Sequence, residues 1–300
     1  MKIVFMGTPD FAIPSLKILI ENKYEIVSIV TTPDKERGRG QKVTFTAVKE
    51  FALMNNIPTL QPVSMKDEEF INSLKALNAD LFIIAAFRIL PKEVFTIPSK
   101  GSFNLHGSLL PKYRGAAPIQ WAVINGDKET GVTTFFLQEK VDTGNIILKE
   151  SIPIEADDNF GTLHDKMSLS GADVVLKTVR LIEYGKAFPQ SQDDTMATPA
   201  PKITKETAKI NWAKPASELH NLIRGLSPHP AAYFYYNDRM YKVYKSSVVN
   251  DSSLKPGEIS QTKTTLTAGC SAGALNILEI QPEGRRRMTT EEFLRGYSLL

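Results

Sequence analysis

Hydrophobic residues are arranged in two alternating periods over the first part of the chain. Residues 2–6, 26–30 and 81–85 are short runs that are apolar except for Lys2 at the start of the first and Ser28 within the second. Such runs suit parallel strands buried on both faces. Helical spacing lies between them, over residues 12–21, where Pro14 falls in the tolerant first turn, and over 67–77. Residues 132–138 and 145–154 read as later strands, and 163–184 as a long amphipathic helix closed by Gly185. Strands alternating with helices predict an α/β domain with a Rossmann-like, doubly wound sheet.

The texture changes after Phe188. Pro189, Pro199 and Pro201 stand among Gln, Ser, Asp and Thr with little apolar periodicity, which reads as a linker. Beyond it come a short helix at 216–224 and short strands at 232–236, 241–246, 258–262 and 274–280. Turns such as Asn237-Asp238 and Pro256-Gly257 join them. That spacing predicts a small C-terminal β-barrel of OB-like type. The expected division is residues 1–188, a linker at 189–205, and residues 206–300; no internal repeat is visible.

Length fits this division, since 300 residues suggest about two domains at ~150 residues each. No apolar run approaches the ~20 residues of a membrane helix, and the N-terminus has no signal-peptide layout. Cys270 is the single cysteine, so an internal disulfide and a thiolate metal cluster are excluded, and a reducing cytoplasm is expected. The net charge of +3 is uneven: from Lys202 onward 14 Lys and Arg face 9 Asp and Glu. This basic second part suits a polyanionic partner, although a solvated basic surface is the more ordinary explanation.

The turn Gly7-Thr8-Pro9-Asp10-Phe11-Ala12 follows a strand but lacks the further glycines of a dinucleotide-binding loop, and no P-loop is present. The segment Phe103-Asn104-Leu105-His106-Gly107-Ser108 carries more chemistry. Asn104 and His106 flank Leu105, so a strand projects both to one side. An amide donor beside an imidazole suits acyl transfer, because both can stabilise an oxyanion and the imidazole can move a proton. A buried strand-end histidine with a satisfied partner is the ordinary alternative. Asp142, followed by Thr143-Gly144, reads either as a structural Asx-turn or as a carboxylate that supports the imidazole's charged form.

The run Asn104-Leu105-His106-Gly107-Ser108-Leu109-Leu110-Pro111-Lys112-Tyr113-Arg114-Gly115-Ala116-Ala117-Pro118, with Asp142-Thr143-Gly144 downstream, resembles the signature of the folate-dependent formyltransferases. Its Arg-Gly-Ala-Ala-Pro extension is similar to their tRNA-formylating members, and the resemblance covers nearly the whole chain. It implies that Asn104, His106 and Asp142 are the catalytic trio and that Ser108, Leu109, Leu110 and Pro111 bind tetrahydrofolate. Phe87-Arg88-Ile89-Leu90-Pro91 resembles the segment whose backbone receives the pterin edge. It is shorter here than in the usual tRNA-formylating version and closer to the purine-pathway relatives. The resemblance further implies 10-formyltetrahydrofolate as co-substrate, no metal, and methionyl initiator tRNA as acceptor; a monomer without membrane attachment is expected. The basic loop at 32–42, with Arg37, Arg39 and Lys42, matches an insertion that meets the acceptor stem, and composition alone leaves it equally a solvated loop. Lys205 and Lys209, with Lys202, Arg239, Lys242, Lys245 and Arg285 to Arg287, are the phosphate-neutralising candidates of the second part.

The same residues leave other readings open. A formyltransferase acting on a small amine would share the trio but not need the basic loop or basic second part. A hydrolase of the folate donor would need no grip on a polyanion, and an RNA-binding protein without activity would not need the trio at all.

Overall fold

The computed structural model describes residues 1–37 and 42–299. In chain order the elements are β1 (Lys2–Gly7), α1 (Ile13–Glu21), β2 (Glu25–Val30), β3 (Lys35–Arg37), β4 (Lys42–Thr44), α2 (Ala47–Met54), β5 (Thr59–Leu60), α3 (Glu68–Ala76), β6 (Leu81–Ala85), α4 (Lys92–Phe95), β7 (Ser102–His106), β8 (Arg114–Gly115), α5 (Pro118–Ile124), β9 (Glu129–Phe136), β10 (Ile146–Pro153) and α6 (Phe160–Glu183). They continue with β11 (Pro199–Ala200), α7 (Lys205–Ala208), α8 (Ala216–Leu226), β12 (Ala232–Tyr236), β13 (Arg239–Val249), β14 (Ile259–Gln261), β15 (Leu266–Gly269), β16 (Ala274–Pro282), β17 (Met288–Thr289) and α9 (Thr290–Gly296). The chain forms two compact units: Met1–Gly115, Gly131–Ile152 and His164–Pro199 make the first, and Ala116–Thr130, Pro153–Leu163 and Ala200–Leu300 the second.

The first unit is built on a seven-stranded sheet of order β10-β9-β7-β6-β1-β2-β5. Strands β7, β6, β1, β2 and β5 run parallel, and β9 pairs antiparallel with β7. This is the expected doubly wound arrangement with an antiparallel extension. The central strands β1 and β6 are apolar on both faces because both faces are covered. Val4, Met6, Phe82 and Ile84 pack against Phe70 and Leu74 of α3 and Val94 and Phe95 of α4. On the other side, α6 lies so close to β7 that a Cβ at Gly171 would stand 2.9 Å from Leu105. Each fully buried Leu, Ile or Phe in such a core contributes ~1.5–3 kcal/mol over its exposed state. Local signals set the helix ends: Asp67 caps α3 by accepting from the Glu69 amide at 2.9 Å, and Gly185 takes φ +65° just after α6.

The second unit carries the small antiparallel β domain that the sequence predicts. Its sheet runs β12-β13-β16-β15-β14, with β17 also on β16. Register shifts between Val243 and Ser246 of β13 mark bulges, which curl such a sheet. Its inward face, with Phe234, Tyr241, Val243, Leu275, Ile277 and Ile280, packs with Leu219, Ile223 and Leu226 of α8 and Phe293 of α9. Among the described residues no helix is long and apolar enough to cross a membrane.

Candidate active site

The chain leaves β1 outward to β2 and β5, then returns to β6 on β1's other side. The crevice beyond the carboxyl ends of strands at such a reversal is where open α/β sheets bind ligands. β7 adjoins β6 at this edge, and its last residues are those the sequence singles out.

Along β7, Phe103 and Leu105 point to one face and Asn104 and His106 to the other. Register with β9 sets Asn104 opposite Phe135 and His106 opposite Thr133, so these four side chains share a face. His106 is 6% exposed, and its ring meets Phe135 edge-on at 6.4 Å. Nε2 of His106 is 2.8 Å from the Tyr113 carbonyl oxygen. A carbonyl can only accept, so Nε2 carries the proton and, in the neutral ring, Nδ1 is left with a lone pair. Nδ1 lies 3.9 Å from Oδ2 of Asp142. Asn104 is half-buried, and among the described residues its side-chain amide makes no hydrogen bond. A half-buried amide donor with no partner among the described residues fits a carbonyl oxygen brought by a ligand.

Asp142 sits in the loop after β9 with φ +55°, an unusual backbone for a residue with a side chain. Its Oδ2 accepts from the Gly115 amide at 2.8 Å. The Gln192 side-chain amide donates to the carbonyls of Asp142 (2.9 Å) and Gly144 (2.8 Å). Gly144 is required because a Cβ there would stand 1.6 Å from the Phe136 carbonyl oxygen. The loop is thus pressed onto the end of β9, and the aspartate is carried to the imidazole.

The expected folate stretch is largely occupied with its own structure. The Ser108 hydroxyl donates to the Lys112 carbonyl at 2.6 Å. Thr133 donates to the Ser108 carbonyl and accepts from the Leu110 amide. Leu110 is fully buried with Phe135 and Ile146, which leaves Leu109 and Pro111 as the half-buried faces. In the segment after β6, Arg88 turns to the carbonyls of Pro62 and Val63 at 2.7 and 3.0 Å, and burial pushes its guanidinium pKa down. Phe87 packs on the α3 side of the sheet, Leu90 is buried, and Ile89 is 72% exposed.

Among the basic candidates, Arg37 and Lys42 stand opposite each other in the β3–β4 hairpin, and Arg39 lies outside the described residues. Lys205 and Lys209, at α7 of the second unit, are exposed, with Nζ of Lys209 6.0 Å from the Tyr235 ring. Lys202, Arg239 and Lys245 are exposed too. Arg286 and Arg287 are paired with Glu292 and Glu279, and Lys242 reaches the Pro230 carbonyl. The sequence alone marks no role for Gln192 or for the Arg114 side chain. Arg114 belongs to the quoted motif, but nothing local marks Gln192, because its partners are far away along the chain.

Family models described as "Formyl transferase" and "Formyl transferase, C-terminal domain" match residues 1–179 and 202–298. A methionyl-tRNA formyltransferase of Caldanaerobacter subterraneus is 50% identical over 302 residues, covering 100% of this chain and 98% of the relative. The one of Flavobacterium johnsoniae is 45% identical, covering 99% and 96%. Among solved structures, HypX from Aquifex aeolicus in complex with tetrahydrofolic acid shares the fold at a TM-score of 0.69 and 16% identity. It covers 98% of this chain, which spans about half of that longer protein (47%). Methionyl-tRNA formyltransferase from Clostridium thermocellum shares it at a TM-score of 0.58 and 19% identity, covering 84% and 95%. With two family models matched in series and full-length relatives at this identity, the chain belongs to the methionyl-tRNA formyltransferase family of formyl transferases.

Proposed function

We propose that the chain transfers the formyl group of 10-formyltetrahydrofolate to the α-amino group of methionyl initiator tRNA, giving formylmethionyl-tRNA for translation initiation. The observation that carries the mechanism is the meeting, at one strand end, of an imidazole, a carboxylate and an amide with no partner among the described residues, with Nδ1 of His106 3.9 Å from Asp142. The folate supplies an electrophilic formyl carbon. Asn104 donates its amide to the formyl oxygen, which turns negative as the uncharged amine attacks; one such donor is worth roughly 3 to 4 kcal/mol. His106 works through Nδ1. Neutral, it takes the proton that the attacking nitrogen must lose; as imidazolium, it donates to the oxyanion. Asp142, facing Nδ1, stabilises the imidazolium and hands the proton onward, directly or through water, to the departing folate nitrogen. Leu109, Pro111 and the backbone at 86–90 bound the folate.

In this reading residues 1–188 hold the chemistry, 206–300 grip the tRNA, and 189–205 join them. Arg37, Arg39 and Lys42 meet the acceptor stem, while Lys205, Lys209 and their basic neighbours neutralise phosphates. The enzyme works as a monomer in the cytoplasm, a compartment suited to a chain whose single thiol, Cys270, is buried and unpaired.

The test is a formyl-transfer assay with 10-formyltetrahydrofolate and three acceptors: methionylated initiator tRNA, methionylated elongator tRNA and small amines. Formylation confined to the initiator species is expected. Transfer to a small amine at an equal or higher kcat/KM, or release of free formate with no formylated product, would overturn the proposal.

A further inference from the structure

Asp142 is held at its carboxylate by the Gly115 amide and at its backbone by Gln192. Asp142 has φ +55°, a left-handed conformation that a non-glycine residue keeps only where its surroundings over-determine it. Gln192 over-determines it. Its amide nitrogen donates to both the Asp142 and Gly144 carbonyls, bracketing Thr143. Gln192 is itself held by Arg114, whose Nε and Nη2 donate to its amide oxygen at 3.1 and 2.7 Å. The same guanidinium pairs with Asp194 at 2.7 Å, so it is fixed at its far end. The next residue along, Gly115, gives its amide to the Asp142 carboxylate. One dipeptide, Arg114-Gly115, therefore grips the aspartate both at its carboxylate and, through Gln192, at its backbone.

We propose that Arg114 and Gln192 are positioning residues that set the Asp142 carboxylate against Nδ1 of His106, through the chain Arg114, Gln192, Asp142. The geometry gives this chain a direction. Gln192 needs both ends of its amide: the oxygen accepts from Arg114 while the nitrogen donates to the loop carbonyls. A carboxylate at position 192 would keep the first contact and lose the second, since it has no hydrogen to donate. The Arg114 fork, with two donors on one oxygen, is a geometry that lysine cannot reproduce.

This inference rests on the catalytic reading of Asp142, and the experiment separates the two. The kcat and both KM values for formyl transfer are measured for Gln192→Glu and Arg114→Lys, each in the wild-type and the Asp142→Asn background. In the wild-type background, Gln192→Glu is expected to lower kcat about tenfold with KM for the folate donor changed by less than about twofold. Arg114→Lys should act in the same direction. Against Asp142→Asn, either change should cost less than about twofold, the non-additivity of residues that act through one group. An unchanged kcat in both single variants, or an equal loss in both backgrounds, overturns the positioning role. Full activity of Asp142→Asn alone overturns instead the catalytic reading on which it rests. If Gln192→Glu does not fold, the same comparison with Arg114→Lys decides the matter.

Discussion

With its Nε2 hydrogen given to the Tyr113 carbonyl, His106 has a single ring nitrogen left for chemistry, and that nitrogen faces Asp142. The alternation of Asn104, Leu105 and His106 made the shared face legible in the sequence, since a strand has a period of two. The tautomer was not legible. It depends on Tyr113 turning its carbonyl inward from a backbone with φ +60°, and no local pattern announces that. Asp142 was readable only as a candidate for the same reason: a left-handed aspartate before Thr-Gly looks like any Asx-turn until the chain is folded. Gly144 can be tested at this scale. Its missing side chain lets the loop lie on the Phe136 carbonyl, 1.6 Å from where a Cβ would be. Gly144→Ala must displace the loop or the end of β9, at a cost of about 1–3 kcal/mol or more. Thermal or urea unfolding should register that loss, together with a fall in kcat as Asp142 leaves Nδ1. A variant with wild-type stability and turnover would contradict the packing described.

Single elements were legible in proportion to how much of their reason is local. β6 and β12 fall on the predicted residues because unbroken apolar or aromatic runs define them. No apolar period in the sequence marks β15 or α9. β15 is four residues that include Gly269, and α9 is announced by a capping box between Thr289 and Glu292 more than by apolar period. α6 shows how an element is tied down at its end. The Tyr24 hydroxyl, just before β2, donates to Glu183 at the close of α6 at 2.9 Å. Burial, then the Glu183 carboxylate, push the Tyr24 pKa up from 10.0 to about 12. The folded state therefore keeps this proton when the unfolded chain releases it. The associated stability is complete below pH 10 and is lost as the pH rises toward 12. Unfolding free energies measured across that interval should fall less steeply for Tyr24→Phe than for the wild-type protein. Parallel slopes would show that the contact contributes nothing through this proton.

For the molecule as a whole, composition anticipated a basic C-terminal part, and the structure refines which charges are available. Arg286 and Arg287 are offset by Glu292 and Glu279, while Lys205 and Lys209 stay exposed. Affinity for tRNA should then fall steeply with salt, with each phosphate contact adding about 0.7 to 0.9 to the slope of log Kd against log salt. Lys205→Ala and Lys209→Ala should each reduce that slope by about that amount, whereas Arg287→Ala should change it less. An equal slope for all three variants would remove Lys205 and Lys209 from the contact surface. The central claim is that an amide, an imidazole and a carboxylate at one strand end carry formyl transfer. Its most direct test is single-turnover formylation of methionyl initiator tRNA by Asn104→Ala and His106→Ala, with folding checked by circular dichroism. The account predicts folded proteins whose transfer step is slower by about a hundredfold or more; folded variants that formylate at near wild-type rates would contradict it.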